Sequence, residues 1–134
     1  MAARVFGVDF SHGMLKMARE KTKSFANVRL VEADAGSLPF ATGSFDAVTC
    51  SHAFYELKGE TQDQALQEIV RVLRPKGTFL MMEHDVPANP LVRILFHFRL
   101  AFMGAERAVI FLRNEREVLE RCFRSVEKVV VPAG

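Results

Sequence analysis

Cysteine is scarce in this chain. Only Cys50 and Cys122 occur, with no CxxC pair and no spacing that would ligate a metal. Both thiols read as core or near-core side chains, and a reducing, cytoplasmic setting fits them. No dense cluster of lysine and arginine is present, and the formal net charge is only +2, so nucleic acid is not an expected partner. Long apolar runs are also missing. The longest tract, "PLVRILFHFRLAFMG" from Pro90 to Gly104, is interrupted by Arg93, His97 and Arg99, too short and too charged to cross a bilayer. The opening "MAARVFGVDF" reaches an acid too early for a signal peptide. Glycine is thin where a nucleotide-binding turn would need it: the only glycine ahead of Asp9 is Gly7, inside an apolar run.

What is present suits one folded domain over residues 1–134. The 134 residues are 49% hydrophobic and 25% charged, enough apolar material for a packed core. Val5–Val8 reads as a buried strand. Ser11 can cap a following helix on which Leu15, Ala18 and Phe25 recur. Strands are expected at Val28–Val31, Asp46–Ser51, Thr78–Glu83 and Ser125–Val131. Thr61 with Gln64 forms a capping box ahead of an apolar face of Ala65, Leu66, Ile69, Val70 and Leu73, and "RPKG" ends that helix. A helical tract follows Asn89 and Pro90, and another runs from Asn114 to about Phe123. Strands alternating with helices predict an α/β fold with a mostly parallel sheet and right-handed crossovers.

In open α/β sheets, ligands bind outside the carboxyl ends of the strands. That rule gathers the polar signals of this chain into one place. Asp9 ends the first strand and Asp34 follows the second. Ser51 and His52 end the third, and Glu83, His84 and Asp85 the fourth. One carboxylate at such a tip can accept from both hydroxyls of a ribose. A second, one strand over, can accept from the exocyclic amine of adenine. Phe10, Met14 and Leu38 could supply apolar surface for the base. A plain structural role stands beside each assignment: His52 and His84 as strand-end caps, Phe54 and Tyr55 as packing residues, His12 as a solvated turn residue, and His97 as a satisfied buried histidine.

The blocks "VDFSHGMLKMAR", "VEADAGSLPFATGSFDAVTCSHAFYEL", "ALQEIVRVLRPKGTFLMMEH" and "NPLVRILFHFRLAFMG" resemble consecutive parts of class I S-adenosylmethionine-dependent methyltransferases. The nearest group is that of the ubiquinone/menaquinone-biosynthesis C-methyltransferases. The resemblance implies a Rossmann-like fold in which Asp9 binds the ribose of the cofactor, with Phe10 near the adenine. Asp34 would accept from the adenine amine, with Ala35 beside it offering its backbone N–H, and Ser51 and His52 would lie by the methionine portion. Phe45–Ser51 would be the fourth strand of the full family sheet and Thr78–Glu83 its fifth. The cofactor would be S-adenosylmethionine and the substrate a small, apolar acceptor. If the acceptor must lose a proton, His52, Tyr55, Glu56 and His84 are the candidate bases by position.

The chain departs from the family pattern at both ends. The family's first strand and glycine-rich loop precede the ribose acid, and only eight residues do so here. The closing strand after the one ending near Val131 is absent as well. The expected fold is therefore incomplete, a truncated domain with exposed edges on the strands flanking the missing ones. Those flanking strands could pair with each other, or a second copy or a partner chain could complete the sheet. A homodimer is the expectation. The alternative reading is a non-catalytic or partner-dependent remnant that binds cofactor weakly or not at all. A nicotinamide-dinucleotide domain is a third possibility, less consistent with the "ADAGSLPF" block.

Overall fold

The computed structural model of the chain describes residues 3–51, 53, 54, 57, 60–82, 89–91, 94, 95, 98 and 114–129. Its elements run β1 (Val5–Asp9), α1 (His12–Thr22), β2 (Val28–Glu32), β3 (Phe45–Ser51), α2 (Glu60–Val72) and β4 (Leu73–Met82). All pairing is parallel, so the α/β class expected from the sequence is the one observed. The sheet, however, is not continuous. Among the described residues β1 pairs with β2, β3 pairs with β4, and the two pairs share no ladder.

The β1–α1–β2 unit forms where the sequence places it. Ser11, in extended conformation, caps α1 by accepting from the Met14 N–H at 3.4 Å. Leu15 is the side chain that α1 buries, with Ala18 partly covered beside it. Phe25 is not part of that face: it follows the helix end and is largely exposed. β1 and β2 run in register from Val5 opposite Val28 to Asp9 opposite Glu32. Val5 N–H donates to Asn27 O and Ala33 N–H to Asp9 O, so Val5, Gly7 and Asp9 turn their backbone groups toward β2. By the alternation of a parallel ladder, Phe6 and Val8 present theirs to the opposite edge.

The hydrophobic core lies around the second pair. α2 buries Ala65, Leu66, Ile69 and Val72; Ala65, Leu66 and Ile69, with Phe54 and Leu73, pack on Val48 and Cys50 of β3 and Phe79 and Met81 of β4. Val118, Leu119 and Phe123 close the other side, Phe123 stacking on Phe79 with ring centroids 5.7 Å apart. Val70 falls off the apolar stripe and is exposed, because the buried set runs 65, 66, 69 and 72, spaced i, i+1, i+4 and i+7 along one helix face. Thr61 is not a cap either: α2 already begins at Glu60, which places Thr61 inside the first turn. Cys50 is partly buried against the core, but Cys122, in the turn that follows the 114–120 helix, is exposed.

Three further departures from expectation have local causes. β4 starts at Leu73, directly after α2, because Leu73 pairs with Phe45. The "RPKG" segment is accommodated as a register shift before Thr78 pairs with Ala47. The residue in left-handed conformation there is Lys76, at φ 69°. Gly77 is required for space: a Cβ on it would lie 2.9 Å from Arg74 O and 3.2 Å from Asp46 O, both backbone atoms. Residues 125–129 are not a strand, for no described edge pairs with them. Lys128 instead reaches back to Glu115 at 2.7 Å, while Val130 and Val131 lie outside the described residues. Finally, β1 and β3 do not pair directly. Side chains join them: the rings of Phe6, Phe40 and Phe45 meet edge to face, with centroids 4.9–5.8 Å apart.

Candidate functional site

The aromatic triad sits at the strand beginnings, with Phe6 second in β1 and Phe45 first in β3. The polar residues gather at the opposite, carboxyl ends. β1 and β2 end together, tied by the bond from Ala33 N–H to Asp9 O at 3.1 Å. Asp9 and Asp34 therefore emerge at adjacent tips.

Each of these aspartates closes a tight turn with one oxygen. Asp9 Oδ1 accepts from Ser11 N–H at 2.8 Å, and Asp34 Oδ1 from Gly36 N–H at 2.7 Å. Such turns fix the side chain with a single acceptor atom. Among the described residues, Oδ2 of neither aspartate has a hydrogen-bond partner, and Asp34 is solvent-exposed. A carboxylate oxygen held in place and open to solvent can accept from an incoming hydroxyl or amine. Phe10, 80% exposed, directly follows Asp9, and Met14, 54% exposed, lies in the first turn of α1. Two large apolar side chains left in water next to fixed acceptors are suited to covering an apolar ring. Ala35 is partly buried against the core, which anchors the loop after Asp34.

Sequence reasoning placed Asp9, Phe10, Met14, Asp34 and Ala35 together, and the β1–β2 pair does bring their backbones to one end. Ser51 belongs to the other pair. It ends β3 opposite Met82 and is exposed. His52, Tyr55, Glu56, Glu83, His84, Asp85 and His97 lie outside the described residues. Phe54 is a packing residue, 1% exposed against Phe79. His12 is the first residue of α1 and pairs with Glu32 through Nδ1 at 2.9 Å, in the open.

Three residues around the site were not anticipated. Gln64, Glu68 and Arg71 of α2 face the loop that carries Asp34. Glu68 accepts from Leu38 N–H at 2.7 Å, and Arg71 donates to Leu38 O and Phe40 O. Hydrogen bonds from Arg71 hold the Glu68 carboxyl below the usual glutamate range; burial pushes the other way, and the Leu38 N–H lowers it further. The sequence signal was available as an acid and a base three apart on a helix, in "QEIVRV". Among the described residues no group of three or more histidine, cysteine, aspartate or glutamate side chains could hold a metal ion, and no helix is long and apolar enough to cross a membrane.

Residues 1–81 match the family model described as a methyltransferase domain. The chain belongs to the class I S-adenosylmethionine-dependent methyltransferases. It is 34% identical over 113 residues to the demethylmenaquinone methyltransferase of Staphylococcus aureus, an alignment covering 84% of this chain and 46% of the relative. The chain thus spans about half the length of the curated relatives it matches. Among solved structures, the YcgJ protein of Bacillus subtilis is 34% identical with a TM-score of 0.58, over 70% of this chain and 42% of that one. A Haloferax volcanii protein solved in complex with the Trm112 methyltransferase activator is 27% identical with a TM-score of 0.61, over 78% and 49% of the two chains. This methyltransferase domain is therefore Rossmann-like in fold and incomplete relative to its structural neighbours.

Proposed function

We infer that this methyltransferase domain holds the adenosine portion of S-adenosylmethionine at the tips of β1 and β2 and serves methyl transfer to a small, apolar acceptor. The observation that carries the reading is the pair of turn-fixed carboxylates, Asp9 and Asp34, at adjacent parallel strand ends, each with Oδ2 unpartnered among the described residues. The donor set of an adenosine fits them. Asp9 accepts from the ribose hydroxyls and Asp34 from the adenine amine, with the Ala35 N–H beside it, while Phe10 and Met14 cover the base. Ser51 and His52 serve the methionine end. When bound, the cofactor supplies a methyl group already activated on a sulfonium, so the protein's task is to orient the acceptor and exclude water. An acceptor that must lose a proton would call on His52, Tyr55 or His84.

An apolar acceptor is supported by the demethylmenaquinone in the name of the Staphylococcus aureus relative, and by the exposed Leu91, Ile94, Leu95 and Phe98. These recur at i, i+3, i+4 and i+7 and form one uncovered apolar stripe. A cytoplasmic setting goes with the scarcity of cysteine. The edges of β1 and β3 that carry no ladder among the described residues support closure by a second copy, or by a partner chain.

Isothermal titration of the full chain with S-adenosylhomocysteine tests the reading. Binding is expected, and Asp9→Ala should weaken it by about tenfold or more, the loss of charge-assisted hydrogen bonds worth roughly 1.5–3 kcal/mol. NAD should not compete. No heat at millimolar ligand, or unchanged affinity in Asp9→Ala, would overturn the assignment.

A further inference from the structure

The loop between β2 and β3 carries Asp34, and much of its shape is set from outside. Asp34 and Ser37 close a turn, with Ser37 N–H donating to Asp34 O at 3.0 Å. Beyond that turn, Phe40 N–H donates to Leu38 O at 2.8 Å within the loop, and Leu38 N–H, Leu38 O and Phe40 O all engage α2. Leu38 N–H donates to Glu68 Oε2 at 2.7 Å. Arg71 Nη2 donates to Leu38 O at 3.0 Å and Nη1 to Phe40 O at 2.7 Å. Glu68 in turn holds the guanidinium, with Nε to Oε1 at 2.6 Å and Nη2 to Oε2 at 2.7 Å. One turn earlier, Gln64 abuts the site itself. A Cβ on Gly36 would lie 3.2 Å from Gln64 Oε1 and 3.3 Å from Asp34 Oδ1. Gln64, Glu68 and Arg71 follow the i, i+4, i+7 spacing of one helix face, while Ala65, Leu66, Ile69 and Val72 serve the core.

We propose that the Glu68–Arg71 pair is a positioning device for the adenine end of the cofactor site, docking residues 34–40 on α2 so that Asp34 and Ala35 are set before the ligand arrives. The inference rests on the role given to Asp34 above and names the residues that make that role possible. Arg71 uses three nitrogens in a rigid planar fork, two on loop carbonyls and two on Glu68, with Nη2 shared between them. A lysine has a single ammonium nitrogen and cannot reproduce that geometry. An ion pair this near the surface adds only modestly to global stability, but it engages three loop backbone groups. Its effect belongs to preorganisation: a loop already in its binding shape does not lose conformational freedom on binding. The lowered proton affinity of Glu68 and the raised one of Arg71, each caused first by the hydrogen bonds to the other, agree with a pair that stays ionised and engaged.

The test measures affinities of the full chain for S-adenosylhomocysteine and for S-inosylhomocysteine, which lacks the exocyclic amine. The variants are Arg71→Lys, Asp34→Asn and the double variant, each titrated at a temperature where circular dichroism shows it folded. Arg71→Lys should weaken S-adenosylhomocysteine by about tenfold, yet change affinity by less than about twofold for the inosine ligand and in the Asp34→Asn background, the non-additivity of two changes acting through one contact. Equal losses for both ligands and both backgrounds, or wild-type affinity in Arg71→Lys, would overturn the positioning role while leaving the adenosine site standing. A wild-type chain that binds neither ligand, or an Asp34→Asn chain that binds as wild type, overturns the site and this inference together. Should Arg71→Lys not fold, Glu68→Gln, which keeps an acceptor for Leu38 N–H, should give the same pattern at about threefold. Failure of both to fold would mean the pair holds the fold rather than the loop, and the proposal would be wrong.

Discussion

Lys76 and Gly77 stand side by side with opposite demands on their side chains. Lys76 holds φ 69°, a conformation costing an L-residue about 1–2 kcal/mol, whereas Gly77 must lack a Cβ because backbone oxygens of Arg74 and Asp46 crowd it. Lys76→Gly should therefore stabilise the chain by about 0.5–1 kcal/mol after the entropy that glycine loses on folding. Gly77→Ala should destabilise it by roughly 1–3 kcal/mol, since backbone rather than a flexible side chain must yield. Urea unfolding of the two variants checks both signs. The residue scale is also where the sequence was most legible. An acid at the end of a short apolar run marks a strand tip, and Asp9 and Asp34 are both there. A neighbouring glycine in "PKG" does not reveal which residue turns left-handed, because that depends on the Leu73–Phe45 pairing that forces the bulge.

At the scale of elements, β1, α1, β2, β3 and α2 were all readable from apolar patterning, with ends differing by a residue or so. The caps and edges were less so. Thr61 with Gln64 has the spacing of a capping box, yet α2 extends past it because Glu60 and Asp63 suit the first turn of a helix equally well. Ser125–Val131 has strand composition, but residues 125–129 gain no ladder without an adjacent edge, and composition cannot supply one. The docking of α2 on the 34–40 loop was invisible for a different reason: it joins side chains to backbone groups about thirty positions away. It should show in the acid limb of stability. The Glu68 carboxyl has its folded proton affinity lowered by Arg71, so the unfolded chain binds the proton more readily. The stabilisation is present above the ordinary glutamate range and disappears as pH falls from that range through the lowered folded value. Urea midpoints of wild type and Glu68→Gln should accordingly converge across that window. A constant difference at all pH values would contradict the pairing.

At the scale of the molecule, the described residues form two parallel strand pairs bridged at one end by Phe6, Phe40 and Phe45, with polar tips at the other. Two-stranded units are weak alone, and β1 offers the backbone groups of Phe6 and Val8 on an edge with no ladder among the described residues. Such an edge recruits another strand. Sedimentation velocity over a micromolar range is expected to show self-association, reduced in Val8→Pro, which removes a donor from that edge while sparing the ladder to β2. A folded monomer at all concentrations would contradict closure by a second copy. The placement of the cofactor's sugar is more direct still. A crystal of the chain soaked with S-adenosylhomocysteine should show the Asp9 carboxylate within hydrogen-bond distance of both ribose hydroxyls, with Ser11 N–H still bound to its other oxygen. A ligand seated elsewhere, or an Asp9 side chain turned away from an empty tip, would contradict the account.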